Sequence, residues 1–193
     1  MLRPKIILAS TSPTRRALLD AAGLRYEARD PRYEEHAPAG LSPKEVALFL
    51  ALEKARAAYR NDPEELIIGA DQVLDLEGRS VGKFYSEAEA KKGLRALSGR
   101  SHFLHTGVAI LWQNKPRQFA VSTKLAVREL SEGELDAYVA TREWEGCAGG
   151  YRIEGQGVCL FEQIEGDYFN ILGLPLLEIL SALRQIGVSF WSK

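Results

Sequence analysis

Apolar positions along the chain fall into short runs and amphipathic stretches, separated by breaks rich in hydroxyls, glycine and proline. Ile6–Ala9 reads as a buried strand that gives way to Ser10-Thr11-Ser12-Pro13. Ser12 is a good N-cap and Pro13 suits the first helical position, so a helix is expected from there to Gly23. Tyr26 to Ala39 reads as irregular, with Pro31 and Pro38 as breakers. Ser42-Pro43-Lys44-Glu45 forms a capping box, and the helix it opens carries Val46, Leu48, Phe49, Leu52 and Ala55 on its apolar side. Leu66–Ala70 predicts a short strand ending at Asp71-Gln72, and Val73 to Val81 a hairpin around Glu77-Gly78.

A second capping box, Ser86-Glu87-Ala88-Glu89, predicts a helix that stops at Ser98-Gly99. His102 to Trp112 and Phe119 to Arg128 read as long strands joined by Gln113-Asn114-Lys115-Pro116. Ser131-Glu132-Gly133-Glu134 caps a helix reaching Ala140, and Gly146 to Gly173 is glycine-studded with a β-like Val158 to Ile164. Ile171 to Phe190 reads as a closing amphipathic helix, its apolar run broken by Glu178, Arg184 and Gln185 before it could span a membrane. Alternating helices and strands with a hairpin among them argue an α/β fold built on a mixed sheet.

Composition narrows the function. The 193 residues fit a single domain over 1–193 and can bury a substantial core. A net charge of −1 argues against a nucleic-acid polymer or a membrane surface as partner, so any polyanion must meet a local cluster of cations. The basic start lacks the apolar region of a signal peptide, and cytoplasmic residence is the expectation. Cys147 and Cys159 are too few for a disulfide framework and are expected to be buried as small apolar side chains.

Three features converge on phosphate chemistry. The strand-to-helix loop from Ser10 to Arg16 offers free N–H groups, hydroxyls and two guanidinium groups, which suit a polyphosphate. Asp71, expected where a buried strand ends, sits where ligands bind in open α/β sheets. Lys54 and Lys83 add isolated cations. Cleaving a phosphoanhydride needs cations for the triphosphate, a divalent metal to polarise it, and a carboxylate to hold the metal or take a proton from water. Asp71 would be that carboxylate, and Glu34 or Glu35 could add a second. There is no G-x-x-x-x-G-K-[ST] loop and no Gly-x-Ser-x-Gly elbow, and Cys147 has no nearby histidine. His102 and His105, three apart on a strand, fall on opposite faces, and His36 has no partner at ligand spacing.

Leu8-Ala9-Ser10-x-Ser12-Pro13-x-Arg15-Arg16, Lys54 and Ile68-Gly69-Ala70-Asp71 resemble the Maf-like nucleoside triphosphate pyrophosphatases. So do Gly82-Lys83, Leu97-Ser98-Gly99, Thr106-Gly107 and Gly173-Leu174-Pro175-Leu176, in the family's order and across nearly the whole chain. The resemblance implies an elongated mixed sheet flanked by helices, with two lobes around a deep cleft. It implies hydrolysis of a nucleoside triphosphate to the monophosphate and pyrophosphate with Mg²⁺ or Mn²⁺, and a homodimer. Asp71 falls on the family's general base, Ser10, Arg15, Lys54 and Lys83 on its phosphate contacts, and Glu35 on an acidic position that assists the metal.

The resemblance also bears on the base. Gln72, Glu154 and Cys147-Ala148-Gly149 look like the branch acting on 7-methyl-GTP, although that branch typically has an aromatic residue where this chain has Thr14. Glu154 can only accept hydrogen bonds, which suits the N1–H and N2–H donors of guanine, whereas a pyrimidine N–H is flanked by two carbonyls. Two other readings stand beside this one: a dTTP/UTP pyrophosphatase of the same family, and a nucleotide-binding regulator of cell division, in line with the family's older label of septum-formation inhibition.

Overall fold

A computed structural model describes residues 4–190; the first residues of the basic start lie outside it. The strands are β1 (Lys5–Ala9), β2 (Glu27–Arg29), β3 (Glu65–Leu76), β4 (Arg79–Val81), β5 (Ser101–Trp112), β6 (Lys115–Val127) and β7 (Phe161–Glu165). They form one mixed sheet in the order β2-β1-β3-β5-β6-β7, with β4 also pairing β3. The helices are α1 (Pro13–Ala21), α2 (Pro43–Ala58), α3 (Glu87–Leu97), α4 (Glu132–Ala140), α5 (Tyr168–Ile171) and α6 (Leu176–Gln185). Among the described residues no helix is long and apolar enough to cross a membrane.

Ser12 caps α1 as expected, its side chain accepting from the Arg15 amide. The capping boxes at Ser42 and Ser131 are both complete. At Ser86 only half of the box forms, because the Glu89 carboxylate accepts from the Tyr85 amide instead of closing on its N-cap. The irregular stretch after α1 contains the short β2, parallel to β1. A buried fork fixes it there: Arg29 donates to both oxygens of Glu65, at 2.5 and 2.9 Å, and to the Ala58 carbonyl at 2.6 Å. No local periodicity announces a three-residue strand held by a contact 36 positions away. The β5–β6 turn uses only Gln113 and Asn114, both at positive φ, so Lys115 and Pro116 already belong to β6. The closing segment is divided between the end of α5 and α6.

The sheet is covered unequally. On one face α1 and α6 pack on Ile6, Leu8, Leu66, Ile68 and Val108. Towards the other end α3 and α4 enclose a second core with Leu74, Leu104, Leu125 and Tyr151. The buried His102 lies against that second core; burial depresses its pKa to about 4, and its ring bonds the Tyr151 hydroxyl at 2.7 Å.

The opposite face carries α2 alone, and here the expected apolar stripe is displaced. Ala47, Leu50, Ala51, Lys54, Ala55 and Ala58 are buried, whereas Val46, Leu48, Phe49 and Leu52 are only partly covered. The cause lies in the sheet. Cβ atoms added at Gly69 and Gly107 would stand 2.2 Å from the carbonyl oxygens of Ala51 and Ala47. The helix therefore sits low on two glycines, and the positions directly over them are alanines, Ala47, Ala51 and Ala55.

We expect Gly69→Ala to lose about 3 kcal/mol of stability in denaturant melts, because the added methyl meets rigid helix backbone rather than a movable side chain. A loss within experimental error would mean that α2 can lift without cost.

Candidate active site

The long strand β3 organises the site. One edge of it pairs with β5 from Leu66 to Asp75. On its other edge β1 pairs with Glu65–Gly69 and β4 with Leu74–Leu76, leaving Ala70 to Val73 without a strand partner on that side. Asp71 is thus inside a continuous strand and not at its end, contrary to the sequence reading. It still lies just beyond the carboxyl end of β1, and the break in pairing lets a ligand approach it.

Arg15 fills part of the gap. Its Nη1 donates to the Ala70 carbonyl at 2.8 Å and its Nε to the Gly173 carbonyl at 2.7 Å, which ties α1, β3 and the turn before α6 together. Gln72 does the same from the strand: its Nε2 donates to the carbonyls of Asn170 at 2.6 Å and Ile171 at 3.2 Å. The low seat of α2 brings Lys54 to Asp71, Nζ to Oδ1 at 2.5 Å, and Lys54 also pairs with Glu35 at 2.6 Å. One ammonium is shared by two carboxylates from different segments.

The environments push those carboxylates apart. Burial raises the pKa of Asp71 above the usual aspartate range, against the lowering pull of Lys54 and Arg15. Burial also acts to raise Glu35, but the hydrogen bond and charge of Lys54, with Lys83 and Arg15, outweigh it and leave Glu35 lowered. Such a divided pair suits different tasks: Asp71 for exchanging a proton, Glu35 for remaining anionic. Burial lowers the Arg15 pKa, with Asp71 and Glu35 opposing.

The surrounding cleft has an inner part, with Asp71, Gln72, Tyr151 and Gly173 in its lining, and an outer part bounded by Ser10 to Arg15 and by Asp30 to Glu35. Both parts share Ser12, Thr14, Arg15, Glu35, Lys54, Lys83, Arg152 and Glu154. The structure thus brings together Ser10, Thr14, Arg15, Glu35, Lys54, Asp71, Gln72, Lys83 and Glu154. Lys83 reaches the far wall because its segment pairs with Ala148 and Gly82 accepts from the Gly149 amide.

Two expectations fail here. Glu34 is largely exposed and pairs with His36 at 3.3 Å rather than joining Asp71. Cys147 is half-buried in the cleft wall beside Gly146 and Cys159 is exposed on a short 3-10 helix, Gln156–Leu160, so neither is a core thiol. Arg16 lines neither part of the cleft and donates to the Ser10 carbonyl at 3.5 Å. Arg152 was missed, although the alternation Tyr151-Arg152-Ile153-Glu154 was visible in the sequence.

Removing Lys54 would leave a buried carboxylate without its cation. We expect Lys54→Met to cost about 3 kcal/mol at neutral pH. Without Lys54 the folded Asp71 pKa rises further above its unfolded value, so the folded state takes up the proton first and the deficit shrinks as pH falls. Chemical denaturation at several pH values checks this; a deficit that grew on acidification would contradict the pairing.

The model of the Maf-like protein family matches residues 5–186. The dTTP/UTP pyrophosphatase of Bacillus cereus strain AH820 is 41% identical over 184 residues, covering 95% of this chain and 96% of that one. The dTTP/UTP pyrophosphatase of Bacillus anthracis is likewise 41% identical, with the same coverage. Among solved structures, the Staphylococcus aureus Ham1 protein aligns with a TM-score of 0.45 and 17% identity, over 64% of this chain and 71% of that one. The chain belongs to the Maf-like protein family.

Proposed function

We propose that this protein is a nucleoside triphosphate pyrophosphatase, cleaving its substrate to the nucleoside monophosphate and pyrophosphate. The Glu35–Lys54–Asp71 chain, opening onto a cleft rimmed by Arg15 and Lys83, carries the proposal. The names of the relatives support the same reaction. Pure nucleotide sensing needs no proton acceptor at the phosphates, which weighs against a binding-only regulator of cell division.

In this reading Ser10, Arg15, Lys54 and Lys83 hold the triphosphate. Asp71 takes the proton of the attacking water. Glu35 and Asp71 offer two hard oxygen donors, a set that fits Mg²⁺ or Mn²⁺ when phosphate oxygens and water complete the shell. Among the described residues no group of three or more potential ligands forms a site without substrate. When bound, the ion would neutralise charge developing on the phosphates. With such an ion bound, Lys54 would give up part of its pairing with the two carboxylates and could pair with phosphate oxygens instead. Such an activity belongs with the cytoplasmic nucleotide pool.

For the base, the proposal is a guanine-type nucleotide, 7-methyl-GTP in particular. Glu154 on the cleft wall is an acceptor for N1–H and N2–H, and its charge favours a cationic base. Thr14 lines the same cleft without supplying an aromatic surface. A second reading, dTTP or UTP, rests on the names of relatives that are 41% identical.

Turnover of 7-methyl-GTP, GTP, dTTP and UTP separates them. We expect Glu154→Gln to lower the ratio of 7-methyl-GTP to UTP turnover about tenfold or more. An unchanged ratio, or a wild-type preference for dTTP or UTP, would reject the guanine assignment. The acid limb of kcat/KM is expected above the ordinary aspartate range, activity falling as pH drops because Asp71 must be unprotonated.

A further inference from the structure

Residues 151–154 alternate in burial. Tyr151 and Ile153 are buried in the second core and only back the inner part of the cleft, whereas Arg152 and Glu154 are exposed and line both its inner and outer parts. The backbone that presents them is braced. The Arg152 amide donates to the Tyr138 hydroxyl at 3.1 Å, the Arg152 carbonyl accepts from the Gly155 amide at 3.3 Å, and Glu143 accepts from the Gly157 amide at 3.2 Å. The side chains themselves are loosely paired. Arg152 Nε stands 3.8 Å from Glu154 Oε1, with 49% and 37% of the two side chains exposed. A donor fork and an acceptor therefore lie side by side on a fixed turn, neither consumed by the other.

We propose that Arg152 is a base-reading residue, and that Arg152 and Glu154 together select nucleobases with a lactam edge, a ring N–H beside a ring C=O. The inference rests on reading the cleft as a nucleoside triphosphate site. Glu154 accepts from N1–H of guanine or hypoxanthine, or from N3–H of uracil or thymine. Arg152 donates to the adjoining O6 or O4. Adenine and cytosine reverse both contacts: an exocyclic amino group meets the guanidinium, and a ring-nitrogen lone pair meets the carboxylate. Both groups are then left unpaired, which is how a polar site rejects an analogue. Glu154 alone would face a flanking carbonyl on a pyrimidine; Arg152 covers one of them. The same pair thus serves a guanine-type nucleotide and the pyrimidines named for the relatives.

Two substrate pairs, ITP against ATP and UTP against CTP, differ at this edge alone. With kcat/KM measured for all four, the wild type is expected to favour ITP over ATP, and UTP over CTP, by about 10- to 100-fold. In Arg152→Met both ratios are expected to fall towards one, through a higher KM for ITP and UTP with kcat little changed. The bracing contacts are made by backbone at Arg152, so the variant keeps its fold, and an unchanged melting temperature checks this. Equal use of ITP and ATP by the wild type would overturn the lactam selection while leaving the pyrophosphatase reading intact. A variant that keeps the wild-type ratios would overturn the role of Arg152. Absence of turnover of every triphosphate by folded wild type would overturn the pyrophosphatase reading itself, and this inference with it.

Discussion

The close seat of α2 on Gly69 and Gly107 is the constraint on which the site depends. A helix at ordinary distance from the sheet would cover that face with larger side chains, and Lys54 would stand off from β3. With the two glycines in place, an alanine face lies against the strands and Lys54, one turn beyond Leu50 and Ala51, reaches Asp71. Packing here sets electrostatics: the steric choice of glycine in two strands decides where an ammonium is buried. Breaking the pair from either side would strand a charge away from water, so the core and the cleft are coupled.

A second element of order is the incomplete edge of β3. A strand that paired fully on both sides would have no reason to face a ligand at Asp71. Because β1 stops at Ala9 and β4 begins to pair only at Leu74, four residues of β3 are left to side-chain partners. Arg15 and Gln72 take up backbone carbonyls around the gap, and their contacts with Gly173, Asn170 and Ile171 draw the segment before α6 against it. Residues that look made only for a substrate thus also tie α1 and the segment before α6 to the middle of β3. Asp71 and Glu35 then differ in proton affinity because one is deeply buried and the other lies closer to water among cations.

Much of this was legible in the chain. Ser12-Pro13 marked the first helix, and the boxes at Ser42 and Ser86 and the cap at Ser131 marked three more, because capping is a local code. The cleft residues were legible as a set through their motifs. What was hidden has non-local causes. The short β2 depends on Arg29 meeting Glu65, and the buried face of α2 depends on glycines in strands far from it in sequence. Asp71 looked like a strand end because a charged residue interrupts an apolar run, yet the strand continues beneath a salt bridge. Arg152 stayed hidden beside Glu154, although the alternation that places one on the cleft also places the other.

The central claim is that Asp71 activates water for cleavage that releases pyrophosphate. The most direct measurement is product analysis with a nucleoside triphosphate and Mg²⁺ or Mn²⁺, for wild type and for Asp71→Asn, alongside nucleotide binding by both. The account predicts pyrophosphate and nucleoside monophosphate in equal amounts from the wild type, with turnover lost in a variant that still binds nucleotide. Orthophosphate as the product, or an Asp71→Asn variant as active as the wild type, would contradict it.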